Sequence, residues 1–189
     1  SNPLPLIPTE IKATVLTYTD RIFLTNIIGT ATTGVYSLGN QFSLPILMLE
    51  QSFNLAFIPW LYKKLKENKE EEKRKIVKIS YIYFGAVFII ALIWSGIAKP
   101  LIKIIGGKGF EEDHLYVICL SIVYSFAGMH MMIVNYIYYM KKLKIYTIVS
   151  VSVMFMNIIL NIILIDKNGS IGAAQATMLC NIVSFIGTW

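Results

Sequence analysis

Acidic, basic, amide and hydroxyl side chains interrupt long apolar runs in this chain at intervals of three or four residues, the spacing that puts side chains on one face of an α-helix. One stripe is Glu10, Thr14, Thr17, Arg21 and Thr25, with Asp20 beside it. A second is Tyr36, Asn40, Ser43, Glu50 and Asn54. A third is Thr147, Ser150, Met154, Asn157 and Asn161, and a fourth Thr177, Asn181, Ser184 and Thr188. The chemistry these types offer is reversible binding. A guanidinium such as Arg21 holds a phosphate or carboxylate by charge-assisted hydrogen bonds. Asn40, Ser43 and Asn54 offer exchangeable hydrogen bonds to hydroxyl groups, and Asp20 and Glu50 are carboxyls able to take a proton or a metal cation.

Bond-making chemistry lacks its usual constellations. There is no Gly-x-Ser-x-Gly, His-Glu-x-x-His, Cys-x-x-Cys or phosphate-binding glycine loop. Gly106-Gly107-Lys108-Gly109 has neither a preceding strand nor a Lys-Ser/Thr ending and reads as a turn. His114 beside Glu111, Glu112 and Asp113 is a minor candidate for a metal, outweighed by the reading as a solvated loop. Cys119 and Cys180 sit in apolar runs and read as small buried side chains. The sequence therefore predicts no catalytic residue, no metal centre and no cofactor: a binding or transport protein, not an enzyme.

The elements that must position these groups are membrane spans. Hydrophobic types make up 56% of the 189 residues and charged types 15%, with a mean hydropathy of +0.62. Soluble domains carry about 25% charged residues, so this surface suits lipid better than water. A hydrocarbon core of roughly 30 Å needs about 20 apolar residues in a helix. Six stretches supply or approach that: Thr9–Ile28, Val35–Tyr62, Ile76–Ala98, Leu115–Met140, Ile145–Ile165 and Ser170–Trp189. They are too long and too evenly apolar for barrel strands. The prediction is an all-α, polytopic bundle of six transmembrane helices forming a single membrane-embedded unit, 1–189.

The formal charge of +6 is topological, and predicts no nucleic-acid partner. Lys12, Lys63, Lys64, Lys66, Lys69, Lys73, Arg74, Lys75, Lys78, Lys141, Lys142 and Lys144 fall on one side; Lys99, Lys103, Lys108 and Lys167 fall on the other. The richer side, with the Lys63–Lys78 and Lys141–Lys144 loops, is expected in the cytoplasm. Lys63–Lys78 reads as a solvated helical extension, with contact to anionic lipid headgroups as the sharper alternative.

Placement ranks the polar groups. A charge at the bilayer centre costs at least ~2.5–3.5 kcal/mol. Glu50 is too central to snorkel, so a lumen-facing or helix-pairing role is expected. Arg21 lies about 10 Å from the outer end of its span at ~1.5 Å per residue; it can face a lumen or snorkel outward. The first two spans are the expected walls of a wet cavity, and Ile76–Ala98, with a nearly apolar middle, the expected lipid-facing scaffold. His130 lies on a face of Val123, Ala127, Val134 and Ile137 and reads as a packed neutral histidine. Asn157 and Asn161 read as interhelical hydrogen bonding, and Gly172/Ala176 and Ala173/Thr177 as close-packing faces. Pro45 and Pro59 predict bends.

Three stretches together carry a family resemblance: Asp20-Arg21-Ile22-Phe23-Leu24 with Gly34-Val35-Tyr36-Ser37; Phe53-Asn54 running into Pro59-Trp60-Leu61-Tyr62 and a lysine-rich tail; and Asn157 and Asn161 leading through Asn168-Gly169 to Gly172-Ala173-Ala174 and Ala176-Thr177. In their order and spacing the chain resembles the Wzx-type polysaccharide flippases of the multidrug/oligosaccharidyl-lipid/polysaccharide exporter superfamily. Asp166 departs from the proline common in that family before the basic-Gly turn. The resemblance implies one lobe of a MATE-like, two-lobe transporter of the bacterial inner membrane, with an N-terminal lobe of the same protein as its partner. It implies flipping of undecaprenyl-diphosphate-linked oligosaccharide for O-antigen, capsule or exopolysaccharide by alternating access. Arg21, Asn40, Ser43 and Asn54 would meet the substrate, and Asp20 or Glu50 a coupling H⁺ or Na⁺. A related drug/cation antiporter or lipid II flippase on the same fold is the alternative. A membrane polymerase or acyltransferase is disfavoured by short outer loops, and a non-transporting scaffold by the polar stripes.

Overall fold

The computed structural model describes residues 18–105 and 114–189. Glu10, Thr14 and Thr17 of the first stripe, Lys12, the Gly106–Gly109 turn and the Glu111–Asp113 acidic run lie outside them. The described residues are helical, with turns between: α1 (18–27), α2 (Thr30–Glu67), α3 (Glu70–Ile105), α4 (His114–Tyr139), α5 (Leu143–Asn168) and α6 (Ser170–Thr188). Helices α2 to α6 are each long and apolar enough to cross a membrane. The chain is an all-helical, multi-pass membrane protein.

The helix ends follow from local chemistry. Asn68 closes α2 in the left-handed region (φ 48°), its N–H bonded to the Leu65 carbonyl, a conformation asparagine tolerates better than most side chains. Gly169 (φ 62°) separates α5 from α6. Three residues farther on, Gly172 is pressed against the Leu164 and Ile165 backbone, where a Cβ would fall 2.7 Å from Ile165 N and closer to the Leu164 carbonyl. Only glycine lets α6 turn back so tightly along α5.

Helix α4 is the hub. In its most apolar stretch 61% of residues are buried, against 22% in α2 and 28% in both α3 and α5, because α4 packs on α2, α3 and α6. Helices α3 and α5 keep one apolar face outward. On α5, Ile145, Ile148, Phe155, Ile159 and Ile162 are exposed while Ser150, Val153, Asn157, Asn161 and Ile165 are buried. Such a helix, apolar outside and partly polar inside, is stable where acyl chains cover the outer face. The scaffold expectation for Ile76–Ala98 matches the exposure of Tyr81, Ile82, Phe88, Ile89, Leu92 and Ile93.

The boundaries differ from the sequence-based spans chiefly on the basic side. α2 has 38 residues, about 57 Å at ~1.5 Å per residue, and α3 has 36. Both exceed a hydrocarbon core of roughly 30 Å, so they project together as a helical hairpin around Asn68. Lys64 Nζ bridges Glu67 (3.3 Å) on its own helix and Glu72 (3.2 Å) on α3. Lys73 pairs with Glu70, and Lys75 with Glu71 and Glu72. The hydrogen bond from Lys64, then that from Lys75, hold the Glu72 carboxyl below the usual carboxylate range.

Candidate functional site

Asp20, on α1, is 2% exposed, and side chains from three other helices converge on it. Tyr36 on α2 donates its hydroxyl to Asp20 Oδ2 at 2.8 Å. Thr177 on α6 donates to the same oxygen at 2.6 Å. Asn161 on α5 donates its amide to Oδ1 at 2.9 Å. Asn157, one turn before Asn161, directs its amide at Thr177 Oγ1 (3.4 Å), and its own side-chain oxygen accepts from Asn161 (3.1 Å). Asn157 and Asn161 are fully buried. The Oδ1 of Asn161 is buried and accepts no hydrogen bond among the described residues. The cage thus gathers carboxylate, amide and hydroxyl oxygens in a low-dielectric interior, with one acceptor left over. Hard oxygen donors of this type suit a proton or a hard monovalent or divalent cation.

Small residues make the cage possible. Gly172, Ala173, Ala174 and Ala176 are buried on α6 and let α5 approach closely. Asn157 and Asn161, four residues apart, then point at the face that bears Thr177. Leu24, Tyr36, Tyr116, Leu120 and Ile165 form a hydrophobic cluster beside the carboxylate that excludes water.

Arg21 follows Asp20 but occupies a different environment. Its side chain is half-buried, and no hydrogen-bonding or acidic partner of its guanidinium is found among the described residues. Its charge acts on the Tyr36 and Tyr124 hydroxyls. Tyr124 on α4 donates to Asn40 Oδ1 at 2.5 Å. Arg21, Asn40 and Tyr124 therefore form a partly accessible polar edge beside the closed cage.

The remaining sequence-predicted residues are distributed along α2. Ser43 is fully buried and donates to the Gly39 carbonyl (3.0 Å) and, at 3.4 Å, to that of Val117 on α4. Asn54 is half-buried and accepts a 2.6 Å hydrogen bond from Asn135 on α4. Glu50 is fully buried with neither carboxyl oxygen in hydrogen-bond geometry among the described residues. Its side chain lies over Gly128 of α4, where a Cβ would meet Glu50 Cγ at 2.8 Å and the carboxyl group more closely still. Fourteen residues separate Tyr36 from Glu50, about 21 Å along the helix at ~1.5 Å per residue. Asp20 and Glu50 are thus separate sites. Much of the α2 stripe packs against α4, with Asn40 and Asn54 at its edges.

Sequence reasoning singled out Asp20 and separately noted the asparagine pair, Tyr36 and Thr177; it did not bring them together. The shared signal was four polar stripes on helices whose opposite faces were apolar, which requires the stripes to meet. Tyr124 and Asn135 were missed because α4 shows no strong stripe. His130, read as neutral and packed, is buried, with Nδ1 3.0 Å from Thr188 Oγ1 and its ring 5.7 Å from that of Tyr146.

These features define a polytopic helical membrane protein with an ionisable group in a closed polar cage and a cationic edge beside it. The curated proteins it matches are distant relatives. The chain is 29% identical over 126 residues, 67% of its length, to the Lsg locus putative protein 1 of Haemophilus influenzae, 31% of which is covered. It is 26% identical over 187 residues, 97% of its length, to the capsular polysaccharide biosynthesis protein CapF of Staphylococcus aureus, 46% of which is covered. An uncharacterized membrane protein of Haemophilus influenzae is 26% identical over 125 residues, 66% of this chain and 31% of that protein. The chain spans about a third to a half of the length of these curated relatives. No family model and no solved structure matches it.

Proposed function

We propose that the chain serves polysaccharide biosynthesis in the bacterial inner membrane, as one lobe of a Wzx-type, MATE-like flippase that moves undecaprenyl-diphosphate-linked oligosaccharide between leaflets. A sugar-phosphate headgroup cannot enter hydrocarbon without losing its hydrogen bonds. Two lobes rocking about a polar cavity would shelter it while the polyprenyl tail stays in lipid. Arg21 would hold the diphosphate, and Asn40 and Asn54, at the edges of the α2–α4 contact, would exchange hydrogen bonds with sugar hydroxyls. Ser43 would contribute only if that contact opens. Asp20 would hold a coupling H⁺ or Na⁺, with the Asn161 oxygen taking up its unused acceptor capacity. Glu50 is a second coupling candidate on the same helix as the sugar contacts. The Lys63–Lys78 hairpin would lie in the cytoplasm.

The observation that carries this reading is the pairing, on adjacent residues of one helix, of a caged Asp20 with an Arg21 that has no acidic partner among the described residues. A static scaffold has no need of a buried carboxylate beside a half-buried cation. The match to the capsular polysaccharide biosynthesis protein along nearly the whole chain supports the substrate class. The test is Arg21→Ala in the full-length protein, with surface polysaccharide measured at matched protein levels. Display should fall at least tenfold, and Arg21→Lys should restore part of it. Undiminished display in Arg21→Ala removes the phosphate role. Drug export by the wild type with no loss of polysaccharide on gene deletion would favour the antiporter instead.

A further inference from the structure

A groove of about 310 Å³ opens between α3, α4 and the end of α6 at the basic end of the bundle. Val77, Phe84, Met132, Ile133, Ile137 and Trp189 make it apolar, and Lys142 stands at its edge. A second depression of about 530 Å³ shares Val77 and runs along α3 past Arg74, Lys78 and Tyr81. Trp189 packs on Tyr81 and Phe84 with ring centroids 5.8 and 5.9 Å away. Tryptophan and tyrosine rings mark the boundary between headgroups and acyl chains. The floor of the groove is therefore at acyl depth and its basic edge at headgroup depth.

The cations at this edge differ from their neighbours. Lys64, Lys73 and Lys75 are each paired with glutamates. Arg74, Lys78 and Lys142 have no acidic partner among the described residues. Arg74 and Lys78 are one helical turn apart on α3 and share the second depression with Val77, and Lys142, in the α4–α5 turn, lines the first groove with the same Val77. The arrangement is complementary to an amphiphile with an apolar tail and a negatively charged head. We propose that this groove seats an acyl chain of an anionic phospholipid whose phosphate is held by Arg74, Lys78 and Lys142. Arg74 supplies the planar fork suited to phosphate oxygens, and the two lysines supply point charges. A zwitterionic lipid would fill the same groove without its net charge being matched.

The site is independent of the transport reading. The full-length protein is reconstituted in phosphatidylcholine nanodiscs and titrated with brominated phosphatidylglycerol or brominated phosphatidylcholine. The quenching of Trp189 is isolated by difference from Trp189→Phe. Each basic residue near a charged membrane lipid contributes roughly fivefold in affinity, so brominated phosphatidylglycerol should half-quench at a mole fraction about tenfold or more below brominated phosphatidylcholine. The Arg74→Gln/Lys78→Gln/Lys142→Gln variant should bring the two curves together, and Ile133→Phe, which narrows the groove without adding an indole, should weaken saturable quenching by either. Equal curves in the wild type overturn the proposal without any variant. So does selectivity that survives the triple substitution, absence of quenching by both lipids, or stoichiometric displacement of the phospholipid by polyprenyl diphosphate.

Discussion

Replacing Asp20 with Asn tests the cage at its centre. The carboxylate accepts from Tyr36 and Thr177 on Oδ2 and from Asn161 on Oδ1. An asparagine keeps one acceptor oxygen and presents an NH₂ at the other position. If the oxygen stays toward Tyr36 and Thr177, the Asn161 bond is lost and two amide groups face each other; if it turns, two bonds are lost. Interhelical hydrogen bonds in membranes average about 0.6 kcal/mol with a maximum near 1.7, while bonds to charged groups in water-soluble proteins reach about 1.5–3. The membrane values govern here, because the unfolded helices also find partners. One or two lost bonds then cost about 1–3 kcal/mol, enough to lower the midpoint of thermal unfolding without abolishing folding. The ion response should be lost altogether. A site tenfold above its Kd stabilises the wild type by about 1.4 kcal/mol, so its melting temperature in detergent should rise when Na⁺ replaces choline, or shift with pH if the ligand is a proton. Asp20→Asn should lose the Na⁺ response and all of the pH response except the acid-range part owed to Glu72, and Thr177→Val should weaken the response while leaving the carboxylate in place. A wild type indifferent to both ions, or an Asp20→Asn variant that responds like the wild type, refutes the cation reading of the cage.

Other outcomes follow from packing and charge. Gly128→Ala should destabilise the protein by about 1–3 kcal/mol, since its methyl group overlaps the Glu50 side chain; a double-mutant cycle with Glu50→Ala should recover most of that loss, and additive effects would show that the two do not touch. Gly172→Ala should be worse, because the clash is with the Leu164 carbonyl and no side chain can move away; expression and thermal midpoint should both fall, whatever is done to neighbouring side chains. Glu50→Gln in the full-length protein should change the ion dependence of polysaccharide display if Glu50 couples transport, and unchanged display and dependence would remove it from that role. The depressed Glu72 carboxyl stabilises the α2–α3 hairpin above the ordinary glutamate value of 4.5, and this contribution should vanish as pH falls through its lower folded value. The amide protection factors of residues 64–75, which take out the intrinsic slowing of exchange in acid, should fall over that range in the wild type, and Glu72→Gln should remove that component of the pH dependence.

The fold was legible because the bilayer imposes one simple requirement on length and polarity. The five apolar runs from Val35 onward each became a helix long enough to span, and the exposed isoleucines of α5 fall where a lipid-facing stripe should. The long α2 and α3 were underestimated because charged residues mark where hydrocarbon ends but not where a helix ends; the Lys64–Glu67, Lys73–Glu70 and Lys75–Glu71 pairs, three or four residues apart, favour continued helix in water. The site was legible only in part. Stripes give the direction of a side chain about its own axis and say nothing of which neighbour it meets, so Asp20, Asn161 and Thr177 could be singled out but not assembled. Glu50 shows the converse: its central position was plain, but its contact with Gly128 depends on how α2 and α4 are set against each other.

The cage also orders events during biosynthesis. Asp20 joins Asn161 and Thr177 across 141 and 157 residues of sequence. At ribosomal rates of about 5–20 residues per second, the first partner-bearing span leaves the synthetic machinery roughly 8–30 s ahead of the last. Through that interval α1 carries a carboxylate whose amide and α6 hydroxyl donors do not yet exist. Until α5 and α6 arrive, the Tyr36 hydroxyl is the one of its three donors that the carboxylate can reach, and the finished cage closes last.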